Sequence, residues 1–104
     1  MFFLMVCHHK PGMSATRDEL RPAHRAWVAS GGDGLAKVLV GSAMWDAGGE
    51  GIGNFGILEA DNLEAARSFA EGDPFHAGGV VAAIELTRLA DTFQAQRITP
   101  MTGG

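Results

Sequence analysis

Residues 2 to 8, FFLMVCH, are apolar at nearly every position and rich in strand formers, which predicts a strand buried on both faces. The KPGMSAT segment breaks the pattern, with Pro11-Gly12 as punctuation, and reads as a loop. Between about 18 and 30 the period changes: Leu20, His24, Trp27 and Val28 fall on one helical stripe. Thr16 and Glu19 match a capping box, but Pro22 would then sit in the second turn and disrupt its hydrogen bonds. The regular helix is therefore expected to start nearer Arg21 and to end at the GGDG of residues 31 to 34. Residues 35 to 45 and 52 to 60 read as two strands joined by a glycine-rich hairpin, DAGGEG. A second helix follows, with Asp61 and Glu64 as N-cap and reciprocal partner. Leu63, Ala66, Phe69 and Ala70 form its apolar stripe, and Gly72 closes it. VVAAIELTRL is the fourth strand, and the tail is polar and irregular, with its last four residues expected to be mobile.

The order β-α-β-β-α-β predicts an α+β, ferredoxin-like fold: a four-stranded antiparallel sheet with two helices on one face. Residues 1–90 form the single domain and residues 91–104 the tail. The first and last strands carry apolar residues on both alternating faces, and two helices cover only one. A bare apolar sheet face is costly in water, so a homodimer through that face is the expected state.

Composition narrows the function classes. Hydrophobic residues make up 46% of the 104-residue chain and charged residues 19%, as in folded globular domains. A net charge of −4, with eight scattered basic residues, argues against nucleic acid as a partner. No run approaches the about 20 apolar residues of a membrane helix, and MFFLMVC lacks the charged start and cleavage site of a signal peptide. The lone Cys7 forms no internal disulfide, consistent with a cytoplasmic location.

His24 interrupts the stripe that faces the sheet, a place usually given to aliphatic residues. Two readings stand open: a core histidine bonded to a backbone carbonyl, or a proton-transfer group tuned by a carboxylate. Asp73 has the same ambiguity in EGDPFHAGGVV, residues 71 to 81. It either caps the turn or is fixed by Pro74, which holds the preceding backbone extended, as a partner for His24. Cys7 and His9 share a strand face but His8 does not, so CHH supplies too few ligands for a metal site, and no cofactor is expected. GGEGIG sits between strands and lacks the context of a phosphate loop. His76 is expected at the surface.

RPAHRAWV, followed by GSAMWDAGGEGIGNFGILEADNLEAARSFAEGDPFHAGGVVAAIEL, resembles the YCII-related (YciI-like) domain family over about residues 2 to 88. The features carrying the likeness are the R-x-A-H helix start, the acidic helix opening before LEAA, and the DPFHAGG segment of residues 73 to 79, set against the family's D-P-[FY]-x-x-A-G. The resemblance implies a dimeric ferredoxin-like fold with a His–Asp pair as active site, at the positions of His24 and Asp73. It also implies a relation to a branch that resembles a dehydrochlorinase of chlorinated hydroxyquinols. Two positions depart from the family pattern: its G-P-L is Gly41-Ser42-Ala43 here, and its G-S pair is Gly53-Asn54. Ser42 and Asn54 are candidates for binding substrate in place of the missing serine, with Phe75 and Trp27 as apolar lining. The expected function is a cofactor-free acid–base enzyme, lyase- or isomerase-like, acting on a small cyclic or aromatic molecule. The alternative is a non-catalytic dimeric module that binds a small ligand or assists a partner enzyme.

Overall fold

The structure is a computed structural model that describes residues 1–103. Its elements are β1 (Phe2–His9), α1 (Ser14–Gly34), β2 (Lys37–Trp45), β3 (Gly51–Glu59), α2 (Leu63–Gly72), α3 (Pro74–Ala77) and β4 (Val81–Arg88), with a single 3-10 turn at Ala95–Arg97. The strands form one antiparallel sheet in the order β2-β3-β1-β4, so β3 and β1 are central. This is the expected α+β architecture, with the long crossovers supplied by α1 and α2.

Strand alternation sorts the side chains. Phe3, Met5 and Cys7 of β1 point to the helices and are buried with Leu58, Val38, Phe69 and Val80. Phe2, Leu4 and Val6 point the other way and are only half-buried, so β1 is not sealed on both faces within one chain. β4 differs further from expectation. Its open-face positions, set by pairing with Leu4, Val6 and His8, are Thr87, Glu85 and Ala83. The apolar part of the open face is therefore central, on β1 and β3.

The first helix begins at Ser14, well before Arg21, and Pro22 lies inside it. Tertiary packing explains the earlier start: Met13 and Leu20 pack against the core, and Arg17 of the first turn is buried. The Thr16–Glu19 box is not used, since Met13 holds the cap position without a side-chain bond. At the other end Gly31, Gly32 and Asp33 adopt φ of 62°, 63° and 58°, which stops right-handed coiling where the glycine cluster predicts. The cap of α2 is Asn62 rather than Asp61; its side-chain oxygen accepts the Ala65 N–H at 2.8 Å.

The tail is tied down at residues expected to be mobile. Met101 N–H donates to the Val38 carbonyl at 2.9 Å. Thr102 Oγ1 accepts the Val38 N–H at 2.8 Å and donates to Val28 O at 2.9 Å. These bonds satisfy the free edge of β2 and link it to α1. Gly103 N–H reaches Ala29 O, while Gly104 lies outside the described residues. Among the described residues no helix is long and apolar enough to cross a membrane.

Candidate active site

Asp73 is placed by backbone chemistry before any question of function arises. Pro74 holds it extended (φ −61°, ψ 133°) between α2 and α3. Its Oδ1 accepts the Phe75 N–H at 2.8 Å, and its own carbonyl accepts the N–H groups of His76 and Ala77. The turn is pressed close to α1: a Cβ on Gly78 would collide with Leu20 Cδ1, so only glycine permits the approach. Asp73 is therefore a turn cap, as the plainer reading supposed, but it is also more.

His24 lies alongside. Its Nδ1 stands 2.9 and 2.8 Å from the two Asp73 carboxylate oxygens. A carboxylate only accepts, so the proton resides on Nδ1 and the neutral ring keeps a bare lone pair on Nε2. The ring is further fixed by Phe75, stacked on it at 4.1 Å between centroids and 9° between planes. Side-chain exposure is 19% for His24 and 8% for Asp73, so the pair is shielded but reachable. It sits in the wall of a cavity of about 520 Å3, inside the roughly 300–1,000 Å3 range of small-molecule sites.

The other sequence candidates separate. Asn54 faces the cavity, with Oδ1 2.7 Å from His9 Nε2. Phe75 lines it between two imidazoles, edge-on to His9 at 5.6 Å as well as stacked on His24. Ser42 lies along the cavity wall, but it pairs with Phe55, which puts its side chain on the open face; its hydroxyl donates to Ala43 O at 2.8 Å. The cause is a β-bulge at Leu39, where register jumps between Val38 and Val40, and one extra residue sends every later side chain to the opposite face. Trp27 also departs from expectation. It lines no part of the cavity; Nε1–H donates to Phe69 O at 3.0 Å, and its ring fills a notch between Gly32 and Gly72. A Cβ on Gly72 would lie 2.6 Å from that ring. Trp27 thus docks the end of α1 onto the end of α2, one residue before Asp73, and acts on the site by position alone.

Two further side chains join the group, both in the cavity wall: Arg17, which the sequence did not single out, and His9, which it offered only as a metal ligand. His9 has its pKa lowered, chiefly by burial and further by the charge of Arg17 and by the neighbouring His24, with the Asn54 bond and Asp73 pulling the other way. Cys7, buried in the core on the helical face of β1, has its thiol pushed up to about 12, first by burial and then by the Asp73 charge. It holds no thiolate at neutral pH and is not a nucleophile. His76 is peripheral, its ring within 3.0 Å of Glu71 O. Among the described residues no cluster of three or more His, Cys, Asp or Glu is arranged to hold a metal ion. The chemistry on offer is proton transfer at His24 Nε2, with Asp73 orienting the ring and stabilising it once protonated.

No curated protein sequence matches the chain. Among solved structures it is similar to the 5-chloro-2-hydroxyhydroquinone dehydrochlorinase TftG of Burkholderia phenoliruptrix AC1100, in complex with 2,5-dihydroxybenzoquinone. The TM-score is 0.74 at 30% identity, over 86% of this chain and 94% of that one. The YCII-related domain matches residues 1–90, and the chain belongs to that family.

Proposed function

We propose that this protein is a small enzyme that uses His24 as general base and Asp73 as its orienting carboxylate, on a small cyclic or aromatic molecule, without a cofactor. The observation that carries this reading is the doubly bonded His24–Asp73 contact, stacked on Phe75, in the wall of a ligand-sized cavity. The likeness to a dehydrochlorinase supports elimination as the reaction type. In such a step Nε2 takes a substrate proton while the carbon–chlorine bond breaks and its electron pair leaves with chloride, for a net loss of HCl. The pair then returns its proton to water.

We further infer that a second copy covers the open sheet face, because Phe2, Leu4 and Val6 of β1 and Phe55 and Ile57 of β3 remain half-buried there. Light scattering should report a dimer, and Val6→Glu should yield a monomer. The free, buried Cys7 fits a reducing cytoplasm.

The test is chloride release from 5-chloro-2-hydroxyhydroquinone by the wild type and by His24→Asn, with 2,5-dihydroxybenzoquinone binding measured in parallel. Turnover by the wild type, lost in the variant while binding persists, is the expected result. Binding without turnover in the wild type would instead establish a binding module.

A further inference from the structure

We propose that Arg17 is an anion-binding subsite of the cavity, taking a negatively charged oxygen of the ligand, a carboxylate or an ionised ring hydroxyl. The inference rests on the cavity being the ligand site, and it adds which chemical group the ligand presents and where.

Arg17 is 8% exposed, yet none of the ion pairs among the described residues includes it. Its Nη2 donates to Ser14 Oγ at 3.2 Å, and that hydroxyl in turn reaches Glu50 Oε1 at 3.4 Å, so Glu50 is linked to the guanidinium only through a hydroxyl. Nη1 is buried and has no partner among the described residues. A guanidinium is charged at every relevant pH, and burying it with an idle nitrogen is costly unless something accepts from that nitrogen. The chain makes room for this arrangement: a Cβ on Gly51 would lie 2.8 Å from Nη2, so the hairpin glycine seats the guanidinium.

The second observation is the charge of the wall. The chain as a whole carries −4, but the charged residues lining the cavity are three arginines against two aspartates. Arg17, Arg21 and Arg25 recur every fourth residue of α1 and so share one helix face. Arg21 is neutralised by Asp18 at 2.6 Å, and Asp73 is committed to His24, which leaves a net positive wall in an acidic protein.

The third is His9, whose Nδ1 is likewise buried without a partner. Its Nε2 points at the Asn54 carbonyl oxygen at 2.7 Å and so carries the proton, which leaves Nδ1 a lone pair. Arg17, with an idle donor, and His9, with an idle acceptor, are both wall residues of the same cavity, and a ligand that reaches both groups bears an anionic oxygen and a hydroxyl.

The experiment is an NMR titration of the full chain with benzoate, its neutral isostere benzamide, and 4-nitrophenol above its ionisation pH. Benzoate or the nitrophenolate should bind about ten- to a hundredfold more tightly than benzamide. Whichever anion binds better tells carboxylate from ionised hydroxyl. Arg17→Met should abolish the preference. If that variant fails to fold, Arg17→Lys, which keeps the charge but not the second nitrogen, should reduce the preference several-fold. Equal affinity for benzoate, the nitrophenolate and benzamide, no saturable binding of any probe, or a preference that survives substitution at Arg17 overturns the proposal. His24→Asn should keep the anion preference, so a failure of the catalytic reading leaves this result standing, and the reverse.

Discussion

A histidine–carboxylate pair lies on each side of the sheet, one on its open face and one among the helices, and the two invite comparison. On the open face His8 Nε2 stands 2.6 Å from Glu85 Oε1, closer than the 2.8 Å between His24 and Asp73 on the helical face. By distance alone the open-face pair is the better one. Its side chains, however, are 48% and 65% exposed, and neither is held by a third group of the kind that Phe75 N–H and the Phe75 ring provide at the other site. A short hydrogen bond between two long-reaching surface groups fixes little, because water competes for both partners. What distinguishes the helical-face pair is over-determination: a constrained backbone, two bonds to one nitrogen, a stacked ring and a cavity beside it.

The comparison breaks most directly under matched substitutions. Asp73→Asn should lower turnover by about 10²–10⁴-fold, because the amide lets the ring take the wrong tautomer and withdraws the charge that stabilises imidazolium. Retained activity in Asp73→Asn would put the two pairs on an equal footing. Gly72→Ala should cost about 1–3 kcal/mol, since a methyl there meets the Trp27 ring 2.6 Å away. Thermal unfolding gives that figure, and loss of activity beyond the loss of fold would sharpen the role of Trp27 in setting Asp73.

His9 supplies a pH signature. Its folded pKa lies below the usual 6.5, so as pH falls through that value the unfolded chain takes up the proton first. Stability contributed by keeping His9 neutral is complete above about pH 6.5 and declines below it, until the lower folded value is reached. A melting-temperature profile between pH 7 and 5 should be flatter in His9→Gln than in the wild type; identical slopes would contradict the lowered value. The smallest effect belongs to the open face. Glu85→Gln should change stability by no more than about 0–1 kcal/mol, read from denaturant midpoints; a larger loss would mean that the exposed pair is built into an interface.

The sequence carried the His24–Asp73 pair because each residue violated a local expectation: an imidazole in an aliphatic stripe, and an acid locked by a following proline. The family motifs placed both on the same short list. The expected antiparallel sheet followed from strand alternation and from turn glycines. Ser42 does lie along the cavity wall, but the direction of its side chain was not legible, because the bulge at Leu39 adds a residue that no residue type announces. Arg17 was missed for a different reason. A charged residue before a proline-bearing helix reads as solvated, and only the packing of the hairpin glycine over the guanidinium reveals that it is enclosed. Trp27 was correctly read as facing inward, but facing inward does not distinguish a cavity wall from the joint between two helices. The helix start was set by burial of Met13, Arg17 and Leu20 against partners far along the chain, which outweighed the proline.

Cys7 is buried in the core on the helical face of β1, close enough to Asp73 to feel its charge, and is the only thiol in the chain. Alkylating reagents need both access and a thiolate, and the closed molecule offers neither. Its modification rate is consequently a built-in clock for how often the core near the carboxylate gives way, and a ligand that braces the chamber should slow that clock without touching sulfur.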